Sequence, residues 1–147
     1  MTALIKNKKA YFDYEVLETF EAGISLRGFE VKALKSGRGS LVGAKVLIRG
    51  EEAFIVGLDI PPYQPGNTPK DYDSMSTRKL LLKKKEIKYL AGRAEERGLT
   101  LIPLSLYTKG NLVKLEFGIA RGKKKYDKRE TIKKREAQRK IERTLKL

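Results

Sequence analysis

Apolar and polar positions alternate in short runs through most of this chain, and one long stretch switches to a helical period. After a basic arm, Ile5-Lys6-Asn7-Lys8-Lys9-Ala10, the run from Tyr11 to Phe20 reads as a strand. Tyr14, Val16 and Phe20 share one face by period two, and Leu17 interrupts the alternation. The segment from Ala22 to Gly28 breaks and restarts the chain. Phe29 to Lys35 has spacings that fit a short helix or a strand; Gly37 and Gly39 beyond it suit a helix C-terminus, which favours the helix. Val46 and Ile48, then Gly50-Glu51-Glu52, then Ala53 to Val56 predict a β-hairpin. Four of the five prolines fall between Pro61 and Pro69, so that segment is a surface loop. Leu80, Leu81, Ile87, Leu90, Ala91 and Ala94 recur at helical spacing, and Gly98 supplies the stop, which predicts a helix from about Lys83 to Arg97. Leu99 to Tyr107 and Asn111 to Ile119 form a second hairpin across Thr108-Lys109-Gly110.

Five or six strands, two hairpins and two helices are most economically arranged as a small antiparallel barrel of the OB-like kind, a common nucleic-acid platform. Composition narrows the chemistry. The chain has 147 residues, which fits one domain plus an appendage; residues 1–120 form the barrel and 121–147 a tail. Cysteine and histidine are both absent, which removes disulfides, thiolate metal sites, the usual zinc ligand and the usual proton shuttle. Nothing reads as an apolar signal core or a membrane span, and a cytoplasmic location is expected. Asp59, Asp71 and Asp73 could hold magnesium, but no phosphate loop or activated nucleophile accompanies them.

Charge changes the picture most. Of the net +15, nine units sit in residues 121–147, where 13 Lys/Arg face four acids. A polyanion is the natural partner for such a segment, and RNA is the first candidate. Tyr126 is the only tail aromatic and has too few apolar neighbours to be buried, so base stacking suits it. Ala137, Ile141 and Leu145 recur every fourth residue, Glu136 precedes Lys140 by four, and no Pro or Gly interrupts Tyr126 to Leu147. That pattern is helix-compatible, yet its narrow apolar stripe and self-repulsion leave it largely unfolded in isolation, to order inside an RNA-lined channel. A nonspecific basic extension fits the composition equally.

Five blocks, taken in order, carry a resemblance. They are Asn7-Lys8-Lys9-Ala10, Phe20-Glu21-Ala22-Gly23-Ile24, Gly28 to Lys35, Arg78 to Leu82 with Glu86-Ile87, and Gly122-Lys123-Lys124 with Asp127-Lys128-Arg129. Together they resemble the signature blocks of the small protein B (SmpB) family over almost the whole chain. The resemblance implies an OB-like barrel that binds the tRNA-like domain of tmRNA for trans-translation, the rescue of ribosomes stalled on messages without a stop codon. It implies a monomeric, non-enzymatic adaptor without cofactor or metal. Asn7, Glu21, Leu81 and Lys114 would belong to the tmRNA-binding surface, with Lys8, Lys9, Lys32, Lys35, Arg78 and Lys79 contributing from the same blocks. Arg121, Lys123 and Lys124 would begin the tail. Tyr126, Asp127, Lys128 and Arg129 would lie at the decoding centre, with the rest of the tail in the empty mRNA channel.

The chain departs from the family pattern at Ser76, where an arginine is usual, at Ser74, near the usual proline, and at Phe29, Ala33 and Lys35. Lys83, Lys84 and Lys85 could take over the missing phosphate contact. Each assignment also has a plainer reading. Leu81, before an amphipathic helix, fits a core residue. Glu21 fits an exposed strand residue or an ion-pair partner, and Lys114 an outward strand residue. A general single-strand RNA-binding or ribosomal protein on the same barrel explains the basic charge but not five blocks in register.

Overall fold

The computed structural model describes residues 2–123 and 132–141. The chain runs β1 (Thr2–Lys6), α1 (Lys8–Asp13), β2 (Tyr14–Ile24), α2 (Gly28–Lys35), β3 (Lys45–Arg49), β4 (Glu52–Val56), β5 (Arg78–Leu81), α3 (Lys84–Ala94), β6 (Leu99–Lys109) and β7 (Leu112–Gly122). Residues 132–141 form a further helix, α4. The strands make one antiparallel sheet of order β1-β6-β7-β2-β5-β4-β3.

Among the described residues seven strands replace the expected five or six, and the expected barrel is not closed. The sheet curls until β3 lies near β6 without pairing with it. Helix α3 covers that seam, with Ile87 and Leu90 buried and Ala91 and Ala94 lining a cleft between Ile48 and Leu101. The main core fills the concave side, where Ala33, Leu34, Ala53, Ile55, Leu58, Leu80, Leu115 and Phe117 are inaccessible or nearly so. A smaller cluster of Ala10, Ile102, Leu104 and Ala120 lies under α1.

Both hairpins, the proline loop and the early helix stand where the sequence places them; the strand start at Tyr11 and the helical placement of Leu80 and Leu81 need correction. The expected strand from Tyr11 is helical up to Asp13, because Asn7 caps the preceding turn by accepting the Ala10 N–H on Oδ1 at 3.2 Å. Leu17 breaks alternation because β2 shifts register between Val16 and Glu18, a bulge that turns Leu17 outward at 38% exposure. Leu80 and Leu81 belong to β5 rather than to the helical period: Leu80 faces the core and Leu81 is 57% exposed. Helix α3 itself starts after Lys83, whose N–H is accepted by Glu86 Oε1 at 3.2 Å. Strand β7 continues to Gly122, opposite Tyr14, and the Lys123 N–H is accepted by Asp13 O at 2.8 Å.

Candidate nucleic-acid interface

Alternation along the strands sorts the side chains into a core face and an outer face. In β2, Ala22 and Ile24 point inward, which sends Glu21 and Gly23 out; in β7, buried Leu115 leaves Lys114 and Glu116 on the outside. Register then lines up one row across four strands: Tyr107 on β6 opposes Lys114 on β7, Lys114 opposes Gly23 on β2, and Gly23 opposes Leu81 on β5. The next row holds Ser105, Glu116 and Glu21. Glu21, Leu81 and Lys114 come from segments up to 93 positions apart in the sequence, and the sheet brings them onto one surface. Leu81 is therefore an exposed apolar side chain on that surface, not the core residue that its helical spacing allowed.

Gly23 matters to the shape of this row. A Cβ there would sit 3.1 Å from Leu81 Cβ, so the glycine leaves a notch between Leu81 and Lys114 that a larger residue would close by pushing Leu81 aside. Glu21 is held in place beside it. Its carboxylate accepts the Tyr107 hydroxyl in a short hydrogen bond and the Lys109 Nζ at 3.3 Å. The Tyr107 hydrogen bond, aided by the lysines at 109 and 114, lowers the Glu21 pKa, while burial and the adjacent carboxylate push the Tyr107 phenol well above its ordinary range. The surface thus offers an ionised carboxylate as a fixed acceptor among cations. A ribose hydroxyl or base amino group can donate to it, whereas a phosphate at that point is repelled. Gly23, Tyr107 and Lys109 lie on this candidate surface, though nothing in the sequence singles them out as site residues. Only the pairing of β2 with β7, and of β7 with β6, reveals them.

The other expected contacts scatter. Asn7 and Arg78 are interior, which differs from the outward RNA contact expected of them. Asn7 Nδ2 donates to Pro103 O at 2.9 Å and Leu41 O at 3.4 Å. Arg78 is 4% exposed: its guanidinium pairs with Glu30 at 2.6 Å and donates to Leu58 O, Ser74 O and Ser76 O, and Tyr72 joins through its hydroxyl. It ties the loop before β5 to α2. Lys8 and Lys9 sit on the exposed first turn of α1, Lys32 and Lys35 on the exposed side of α2, and Lys79 beside Glu52 at 3.8 Å. Arg121 lies seven residues along β7 from Lys114, roughly 23 Å away, and the Lys123 Nζ donates to Tyr11 O at 3.0 Å. Lys124, Tyr126, Asp127, Lys128 and Arg129 lie outside the described residues.

The surface therefore combines cations, a directional acceptor and a notch. Among the described residues, no group of three or more Asp or Glu is placed to hold a metal ion, and no helix is long and apolar enough to cross a membrane.

A sequence profile described as SmpB protein matches residues 4–147, which includes the five blocks and the tail. The chain belongs to the SmpB family. Similar proteins include an SsrA-binding protein of Gloeobacter violaceus, 53% identical over 142 residues, spanning 97% of this chain and 93% of that one. An SsrA-binding protein of Thermosipho africanus is 50% identical over 147 residues, 99% and 98% of the two chains. A solved SmpB chain from work on tmRNA-SmpB and the centre of the bacterial ribosome superposes with a TM-score of 0.69 at 41% identity, covering 82% of this chain and 85% of that one. For this SmpB family member, the outer-face row places Gly23 and Leu81, from two of the recognised sequence blocks, beside Lys114 of β7, which lies outside them.

Proposed function

We propose that this chain binds the tRNA-like domain of tmRNA through the outer face of its sheet and delivers it to stalled ribosomes as a non-enzymatic, monomeric adaptor in the cytoplasm. The observation that carries this reading is the SmpB match over residues 4–147, because it takes in both the sheet and the basic tail. Supporting it, the SsrA-binding relatives extend over nearly their full lengths, and the solved relative comes from a tmRNA-SmpB study of the ribosome.

Within this reading Lys114 neutralises a phosphate, Leu81 packs on a sugar or base edge, and Glu21 accepts from a hydroxyl or amino group. Asn7 and Arg78 act by holding α1 and the loop before β5 in position. Residues from about Lys124 onward form the ribosome-directed tail, with Tyr126, Asp127, Lys128 and Arg129 at the decoding centre and the remainder in the empty mRNA channel. The test is competitive binding of the tRNA-like domain against an unstructured RNA of equal length, across a salt series. Selective binding is expected, and Lys114→Ala should weaken it while making the salt slope shallower by about one. Equal affinity for both RNAs would replace this reading with general single-strand RNA binding.

A further inference from the structure

The outer face continues past Leu81 onto β4 and β3, where the row next to it carries an aromatic ring. Phe54 lies between Ala53 and Ile55, both fully buried, so alternation turns its ring to the convex face, away from the core. It opposes Leu47 on β3 and Lys79 on β5, while Val56, the next outward residue of β4, opposes Lys45. Arg49 opposes Glu52 at the far end of the same hairpin. The result is a half-exposed aromatic with aliphatic flanks, ringed by three cations and one acid.

We infer that Phe54 is a stacking platform for an unpaired nucleotide of the same RNA, with Lys45 and Lys79 taking the phosphates on either side. This rests on the RNA-binding reading above and extends it to a part of the sheet that none of the five blocks except Lys79 touches. Three considerations favour RNA over a protein for this strip. It is continuous with the Leu81 surface: three strand spacings, about 14 Å, separate β4 from β7, which carries Lys114. Its cations complement phosphate, and the single Lys79–Glu52 pair is long and solvent-exposed at 3.8 Å, so exchanging it for a phosphate costs little. A flat aromatic face on an open sheet suits base stacking, which tolerates any base.

The chain contains no tryptophan, which makes the strip directly observable. Phe54→Trp keeps an aromatic platform and installs the sole indole. Titration with the tmRNA tRNA-like domain should quench its emission, saturating at one RNA per protein with the midpoint that gel mobility gives for the same variant. Phe54→Leu, which keeps the apolar volume, should lose roughly 5- to 100-fold in affinity with an unchanged salt slope, whereas Lys45→Gln should shallow the slope by about one. If Phe54→Trp binds in the mobility assay but its emission does not change, the inference is overturned and the strip is left for a protein partner. Failure of the unaltered chain to bind the domain would instead remove the RNA reading itself. A thermal melt of each variant, with unchanged midpoint, separates lost stacking from lost fold.

Discussion

Glu21 is a structural partner of Tyr107 and Lys109 and, in the proposed reading, also a recognition group. Its hydrogen bond from Tyr107 lowers its pKa below the ordinary 4.5, so the folded state prefers the ionised form. The resulting stabilisation is fully present above the unfolded value and is lost as pH falls through the lower folded value. Tyr107→Phe should raise the Glu21 pKa toward the ordinary range, as read by carboxyl NMR titration, and should narrow the stability gap to the unaltered chain as pH drops below about 4.5. The phenol has the opposite dependence. With its folded pKa raised, Tyr107 favours the fold while protonated, and that contribution falls away as pH climbs above its ordinary value of 10.0. Neither coupling is visible in the sequence, where Glu21 and Tyr107 are 86 positions apart; what the sequence does show is Glu21's place in a recognisable block.

At the scale of elements, Arg78 is the residue whose role changed most between sequence and structure. Its block marks it as basic and surface-directed, but β5 alternates, and Leu81 and Lys79 take the outer positions while Leu80 and Arg78 turn in. Arg78 and Glu30 have side chains only 3% and 5% exposed, so removing one partner strands a buried charge. Arg78→Ala should cost about 3 to 5 kcal/mol in chemical denaturation, and Glu30→Gln in the same background should recover part of it. The hairpins were legible because neighbouring strands and their turns are local. The helix of α1 was not, since six residues with one buried alanine give little periodicity and the cap at Asn7 depends on carbonyls near Leu41 and Pro103. The irregularity at Leu17 is legible in the broken alternation, and the bulge is its cause.

For the whole molecule, labour is divided in the proposed reading between a sheet that recognises RNA and a tail that acts in the ribosome. The pairing of β1 with β6, across about 100 positions, and the seam left beside α3 are set by long-range packing that period and propensity do not encode. Tail residues 132–141 are helical, a state compatible with the four-residue spacing of Ala137 and Ile141 but not the largely unfolded one expected without RNA, and Arg135 rests 5.7 Å from the Phe12 ring centroid. All ten of these residues are exposed, so α4 buries little against the sheet and can leave it at low cost. Strand β7 runs to Gly122 and the Lys123 N–H is accepted by Asp13 O, so a truncation that ends at Lys123 keeps both contacts. The most direct test compares the full chain with a variant ending at Lys123, measuring affinity for the tmRNA tRNA-like domain and rescue of stalled ribosomes in a reconstituted translation system. The truncated chain should keep selective binding within a few-fold and lose rescue. Loss of selective binding together with rescue, from a chain that still melts cooperatively, would contradict that division of labour.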